Sequence, residues 1–91
     1  MPRPCIRRRV FGRPNASYFK PAGIPLRNLE EVVLTLPEFE AVRLIDLNEE
    51  PQEQAAQKMQ ISQPTLSRIL KTARKKLSDA IINGHAIKIQ K

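Results

Sequence analysis

Apolar residues recur every three or four positions from residue 63 to residue 83, at Leu66, Ile69, Leu70, Ala73, Leu77, Ala80 and Ile81. This spacing predicts a long helix with one apolar face. Gly84 is placed to end it, because glycine readily adopts the left-handed conformation found after helices. At 1.5 Å per residue the helix would be about 30 Å long. We expect its last turns, including Leu77, Ala80 and Ile81, to pack against the N-terminal segment or a second subunit.

A first, shorter helix is predicted over residues 37–47. Thr35 can cap it, Pro37 suits its first turn, and Glu38 lies three residues after the cap, as in a capping box. The predicted apolar face contains Phe39, Ala41, Val42, Leu44 and Ile45. We expect the acidic residues to lie mostly outside this face, namely Glu38, Glu40 and Asp46.

A second helix is predicted over residues 51–59, with Pro51 at its first helical position. Ala55, Ala56 and Met59 would face inward, and the two alanines would allow another helix to approach closely. Residues 60–62 then form a turn before the long third helix. If the turn needs a positive φ at Gln60, glutamine costs about 1 kcal/mol relative to glycine.

Short strands and an irregular arm flank the helices. The stretch "EVVLTL", residues 31–36, is either a strand or the lead-in to the first helix. The stretch "AIKI", residues 86–89, alternates like a strand and needs a partner, which residues 6–11 or 31–35 can supply. Five prolines and two glycines within residues 1–25 exclude a long helix there.

The second and third helices have the apolar spacing of a helix-turn-helix. Two short helices that cross at a tight turn must bury apolar groups on both sides of the turn. Counted from Gln52, those positions hold Ala55, Ala56, Met59, Ile61, Leu66 and Ile69. Pro64 is compatible with the start of the third helix, since first-turn N–H groups have no helical acceptor. Either Ser62 or Gln63 caps this helix, and we favour Ser62 because its hydroxyl can reach the Thr65 amide.

The opposite face of the third helix is polar and basic. In a helix laid N-terminus first into a major groove, the first two turns face the base edges. Arg68 can bind guanine and Gln63 can bind adenine, while lysines and further arginines suit phosphates. The predicted DNA contacts are Gln63, Thr65, Ser67, Arg68, Lys71, Arg74 and Lys75, with Gln52 in the second helix and Arg7, Arg8 and Arg9 in the N-terminal arm. The alternative is an ordinary solvated basic face.

Charge is arranged in three blocks along the chain. Residues 1–29 hold seven Lys or Arg and no acid, residues 30–53 hold eight acids and only Arg43, and residues 54–91 hold eight Lys or Arg and only Asp79. This layout indicates a polyanionic partner on one face. The alternative is that the blocks interleave on folding and partly cancel.

Composition excludes several other classes of protein. The length of 91 residues indicates one domain. The single Cys5 allows no internal disulfide, and with the single His85 it makes no metal site. No apolar run approaches the length of a membrane span, and no secretory signal is present, so we expect a cytoplasmic, nucleoid-associated protein. Without a glycine-rich phosphate loop or a catalytic cluster, we expect no enzyme activity and no cofactor.

Two resemblances follow from these motifs. Residues 36–77, "LPEFEAVRLIDLNEEPQEQAAQKMQISQPTLSRILKTARKKL", resemble the region-four helix-turn-helix of bacterial sigma factors. The whole chain is similar to a small prokaryotic family of uncharacterised predicted DNA-binding proteins, through "MPRP", "YFKPAGIPL", "LEEVVLTLPEFEAVRL", "EQAA", "TLSRILKTARKKLSDA" and "NGHAIKI". Three positions depart from the expected pattern: Gln63 replaces a basic residue, Gln60 a small turn residue, and Pro51 a hydroxyl cap. The change at Gln63 weakens one expected DNA contact.

The sequence therefore predicts a mainly α fold with three parts. These are a basic, proline-rich arm over residues 1–30, a helix-turn-helix domain like sigma region four over residues 31–84, and a C-terminal strand or tail over residues 85–91. The expected function is double-stranded DNA binding and transcriptional regulation by a homodimer. The alternative is an interaction module that docks RNA polymerase or a ribonucleoprotein, with residues 30–53 as the contact surface. Region-four-like units also dock proteins, and a similar small protein is associated with the signal recognition particle pathway.

Overall fold

The computed structural model describes residues 12–90, which form three helices and a small three-stranded sheet. Predictions for Arg7, Arg8, Arg9 and for a strand over residues 6–11 lie outside this range. The helices are α1 (Leu36–Val42), α2 (Gln52–Met59) and α3 (Gln63–Asn83), and the strands are β1 (Tyr18–Phe19), β2 (Glu31–Leu34) and β3 (Ala86–Ile89). The prediction of a mainly helical fold is confirmed.

The start of α1 has the predicted capping box. The Thr35 hydroxyl accepts from the Glu38 amide at 3.3 Å, and the Glu38 carboxylate accepts from the Thr35 amide at 2.8 Å. The helix continues into a wider π-helical turn, Arg43–Leu47, which ends where the Asn48 amide donates to the Arg43 carbonyl at 2.9 Å. The two segments together match the helix predicted over residues 37–47.

The start of α2 differs by one residue from the prediction. Pro51 is the cap of the helix and not its first helical residue, with φ −60° and ψ 144°. The proline ring fixes φ at a value that suits both positions. The cap and the first helical position differ in ψ, which the ring does not fix, and the ψ of Pro51 is that of extended backbone.

The turn between α2 and α3 holds Gln60 in the left-handed conformation, at φ 58° and ψ 45°. The sequence analysis left open whether the turn needs a positive φ at Gln60, and the structure shows that it has one. Gln60→Gly should therefore raise the free energy of unfolding by about 1 kcal/mol, because glycine carries no Cβ to oppose this conformation. Urea denaturation followed by circular dichroism measures the change. Gln57→Gly in α2 is the matched control and should lower stability by about the same amount; equal changes at both positions would contradict the prediction.

Both ends of α3 agree with the sequence analysis. The Ser62 hydroxyl caps the helix by accepting from the Thr65 amide at 3.2 Å, and Pro64 lies in the first turn. Gly84 ends the helix at φ 72°. The helix therefore spans the predicted 21 residues and extends well beyond its contact with α2.

The core consists of two adjoining clusters along α3. Leu66 and Leu70 pack with α1 and α2 residues in the first cluster, together with Ala41, Leu44, Ala55, Ala56 and Met59. Ala73 packs against the sheet in the second cluster, which contains Leu34 and Ile89, with Leu77 at its margin. All six apolar positions predicted around the α2–α3 turn lie in the first cluster, with Ile61 and Ile69 partly buried.

The last turns of α3 are only partly covered. Ala80 is buried and Leu77 is half-buried, as predicted. Ile81, which the sequence analysis expected to pack against the N-terminal segment or a second subunit, is 75% exposed, and its neighbour Ile82 is 79% exposed. Because α3 rotates about 100° per residue, Ile81 lies at the edge of the apolar face, and residues 12–90 do not cover it. Its burial by a second subunit stays a prediction.

The sheet pairs strands that precede the three helices, β1 and β2, with the strand that follows them, β3. Its order is β1–β3–β2, with β3 antiparallel to β1 and parallel to β2. Leu34 pairs with Ile89, and both side chains are buried against α3. Of the two partners proposed for the "AIKI" strand, residues 31–34 are therefore confirmed, and all three helices lie in the crossover between them.

Candidate nucleic-acid interface

The predicted polar face of α3 is open to solvent. Six of its proposed contacts are exposed and Thr65 is half-buried; the exposed residues are Gln63, Ser67, Arg68, Lys71, Arg74 and Lys75. At about 100° per residue these six share an arc of about 140° around the helix, in which Lys71, Lys75 and Arg68 are farthest from the buried Leu66, Leu70 and Ala73. We call this exposed arc of α3 the basic face. Gln52 is also exposed, at the first turn of α2.

The N-terminal tip of α3 is held by side-chain hydrogen bonds. The Ser62 hydroxyl lies 2.9 Å from the Thr65 hydroxyl, and an Arg68 Nη2 donates to the Thr65 hydroxyl at 3.4 Å. Arg68 is thereby directed toward one flank of the helix while its guanidinium keeps free donors. This arrangement limits the motion of the tip before any ligand binds.

Three cations of the basic face make no ion pair with any residue between 12 and 90: Arg68, Lys71 and Lys75. They lie within about 60° of one another around the helix, because each residue advances about 100°. An unpaired basic cluster of this kind attracts anions strongly.

Other basic residues are paired with acids from the central block. Arg74 donates to Asp46 at 2.6 Å and 3.2 Å, Lys58 lies 2.9 Å from Glu50, and Lys76 lies 2.8 Å from Glu38. The hydrogen bond to Asp46 raises the pKa of the Arg74 guanidinium above its usual value. The charge blocks of the sequence therefore interleave in part on folding, as the alternative anticipated.

Two glutamates of α1 correct the sequence analysis. Glu38 and Glu40 were expected outside the apolar face, but they are only 7% and 0% exposed. Glu38 is compensated by Lys76, 38 residues away, which sequence spacing does not reveal, whereas Glu40 pairs with Arg43 at the local i,i+3 spacing. The Lys76 ammonium bonds Glu38 at 2.8 Å and also donates to the Val33 carbonyl at 2.7 Å, so it ties α1, α3 and β2 together.

Glu40 lies on the opposite side of α1 from Glu38, since residues two apart on a helix point in different directions. Its carboxylate accepts from Arg43 Nε at 2.8 Å and Nη2 at 2.9 Å, and from the Gly12 amide at 3.0 Å. These hydrogen bonds raise the pKa of the Arg43 guanidinium. A side chain at position 12 would overlap that of Arg43, so only glycine allows this approach.

A polar groove runs along the other flank of α3. It encloses about 580 Å³ and is lined by Thr35, Pro37, Glu38, Thr65, Arg68, Ile69, Thr72 and Gln90. These residues include all three threonines of the chain. The sequence analysis missed this groove: helical spacing alone places Thr65 beside Thr72, but only the fold brings Thr35 and Gln90 to them.

Other kinds of site have little support in the described residues. Residues 12–90 contain no group of three or more His, Cys, Asp or Glu side chains placed to hold a metal ion. His85 lies 3.8 Å from Asp79 near the end of α3. Away from these helices, the Tyr18 hydroxyl donates to Glu31 at 2.6 Å, and this bond raises the Tyr18 pKa. Within the same residues, no helix is both long and apolar enough to cross a bilayer.

Comparison with known proteins finds relatives along the whole chain. The family model described as "Protein of unknown function DUF134" matches residues 1–91. A UPF0251 protein of Caldanaerobacter subterraneus subsp. tengcongensis is 52% identical over 90 residues, which cover 99% of this chain and 76% of the relative. A UPF0251 protein of Moorella thermoacetica is 53% identical over 90 residues, covering 99% of this chain and 60% of the relative. No solved structure matches the chain.

Proposed function

The chain belongs to the DUF134 (UPF0251) family, and we propose that it is a DNA-binding protein that regulates transcription by placing the N-terminal half of α3 in the major groove. The observation that carries this proposal is the unpaired, exposed cluster of Arg68, Lys71 and Lys75 beside the capped tip of α3. A helix tip bearing free cations and amide side chains suits phosphates and base edges together.

The packing of α2 against α3 supports a helix-turn-helix of the sigma region-four type. Ala55, Ala56 and Met59 of α2 bury against Leu66 and Leu70 of α3, and the chain reverses through the left-handed Gln60. Such a unit presents its second helix to the groove while its first helix crosses the backbone. In this arrangement Gln52, at the start of α2, contacts a phosphate, and Gln63 and Ser67 face the base edges.

The alternative, docking of RNA polymerase or a ribonucleoprotein through the acidic segment, has less support. Glu38 and Glu40 are buried, and Asp46 and Glu50 each lie in an ion pair. These contacts occupy half of the eight acids of the segment, and the other four stay exposed: Glu30, Glu31, Glu49 and Glu53. We favour DNA as the partner because the exposed Arg68, Lys71 and Lys75 make no ion pair with residues 12–90.

We also propose that the protein binds DNA as a homodimer. One helix tip offers only about three or four base-contacting side chains, and two copies on adjacent half-sites would supply useful specificity. The exposed Ile81 and Ile82 give the same helix an apolar end that a second copy can cover. Sedimentation on a duplex selected for binding should give two chains per site.

A salt titration of the full chain on duplex DNA tests the proposed function. The logarithm of the association constant should fall linearly with the logarithm of salt concentration, with a slope of about −0.9 for each phosphate contacted. Fluorescence anisotropy with mixed genomic fragments measures this slope. Absence of binding at about 50 mM salt would overturn the proposal, since nonspecific phosphate contacts are strongest there.

The pair between Arg74 and Asp46 gives a further prediction. Asp46→Asn should free the Arg74 guanidinium for a phosphate, raising DNA affinity about threefold at low salt and steepening the salt slope by up to about 0.9. Asp79→Asn is the control, because it makes the same charge change near the C-terminal end of α3. An equal gain in both variants would mean that net charge alone is responsible; a loss in Asp46→Asn would mean that Asp46 orients Arg74.

A further inference from the structure

The threonine-lined groove beside α3 belongs to the DNA interface, and we propose that it holds the sugar-phosphate backbone of one DNA strand. This inference rests on the proposed function and assigns the groove a ligand: about two or three consecutive phosphates on the side of α3 away from α2. The groove is formed by the start of α1, the outer flank of α3 and Gln90 after β3.

Its position on α3 is the first reason. Leu66 and Leu70 hold α3 against α2, whereas Thr65 and Thr72 lie roughly 100–160° farther around the helix, at about 100° per residue. The basic face lies between these two flanks. A helix inserted in a major groove has one DNA strand on each side, so α2 would meet one strand and the threonine groove the other.

The chemistry of the lining is the second reason. Hydroxyl and amide groups are, with Arg and Lys, the side chains that bind phosphate oxygens. The Thr72 hydroxyl makes no hydrogen bond to any residue between 12 and 90, so its donor is available. Arg68 lies at the rim, and the one carboxylate of the lining, Glu38, is 7% exposed and neutralised by Lys76 at 2.8 Å.

The dimensions of the groove agree with a strand. Thr65 and Thr72 are seven residues apart, which is about 10 Å along the helix. A DNA strand carries one charge per 3.4 Å of duplex axis, and its phosphates lie farther apart than this along the strand itself, so two or at most three phosphates span this distance. The same length would leave a single free phosphate in contact with only part of the lining.

Two nearly isosteric changes test the inference. Gln90→Glu retains the acceptor that the Leu36 amide uses at 3.2 Å and adds one negative charge to the groove. Thr72→Val removes only the free hydroxyl. On the full chain we expect Gln90→Glu to weaken duplex binding about tenfold at low salt and Thr72→Val about fivefold, on all sequences alike. Asn28→Asp, at an exposed position before β2, is the charge control and should change affinity less than twofold.

Duplexes with single neutral methylphosphonates locate the contact. For the wild-type chain, a methylphosphonate at any of up to three adjacent positions on one strand should reduce affinity. For Thr72→Val, the methylphosphonate at one of these positions should no longer change affinity. The inference is overturned if Gln90→Glu binds DNA like Asn28→Asp and Thr72→Val binds DNA like the wild type. That outcome is distinct from failure of the proposed function, in which the wild-type chain itself does not bind duplex DNA.

Discussion

Removing both Arg68 and Lys71 should reduce the affinity for duplex DNA by at least about 30-fold, because one base contact of 1–3 kcal/mol and one phosphate contact are lost together. Both side chains are exposed and make no ion pair with the described residues, so Arg68→Ala with Lys71→Ala should leave the fold intact. Anisotropy titration at two salt concentrations measures the loss, and the salt slope should become less steep by about one to two.

The matched control removes two positive charges elsewhere. Lys20 and Arg27 are exposed and lie between β1 and β2, outside the basic face and the lining of the threonine groove. Arg27→Ala with Lys20→Ala lowers the net charge of +7 by the same two units. Similar losses in the two double variants would show that net charge, and not the basic face, determines binding. Protein docking through the acidic segment should be unaffected by Arg68→Ala and Lys71→Ala.

Replacing Glu40 should have the largest effect on stability. Glu40→Ala removes a fully buried carboxylate and leaves the Arg43 guanidinium and the Gly12 amide without their acceptor. Loss of one partner from a buried ion pair costs several kcal/mol, and because Arg43 is 27% exposed and can turn toward water, we expect a loss of about 3 kcal/mol. Urea denaturation measures the free energy of unfolding.

Glu30→Ala provides the control, since Glu30 is exposed and its side chain makes no hydrogen bond among residues 12–90. It should change stability by less than about 0.5 kcal/mol. The stability of Glu40→Gln should lie between those of Glu40→Ala and Glu30→Ala. Its amide oxygen can still accept one hydrogen bond, although the charge is lost. If Glu40→Ala is as stable as Glu30→Ala, the Glu40 carboxylate does not anchor Gly12 to α1.

Local signals accounted for most of the helix boundaries. Thr35 and Ser62 cap helices because their hydroxyls accept from amides three residues later, a distance fixed by helix geometry alone. Gly84 ends α3 for an equally local reason. The error at Pro51 also has a local origin, since the sequence sets φ at proline but not the ψ that separates a cap from a first helical residue.

Long-range pairing accounted for the errors. Glu38 and Glu40 were predicted to be exposed because the apolar pattern of a single helix assigns carboxylates to its solvent side. Lys76, 38 residues from Glu38, satisfies that carboxylate, and the Gly12 amide, 28 residues from Glu40, adds to the local pair of Glu40 with Arg43. Residues 12–90 leave Ile81 exposed, so its predicted burial depends on a partner outside them.

The sequence by itself determined the three helices and the separation of an apolar from a basic face on α3, since each depends on residues within a few positions of one another. It also placed Arg68, Lys71 and Lys75 on one exposed surface. Only the tertiary structure decided which charges remain free, because Arg74 and Lys76 meet acids from the opposite block. It alone assembled the threonine groove, since Thr35 and Gln90 reach α3 through the pairing of β2 with β3.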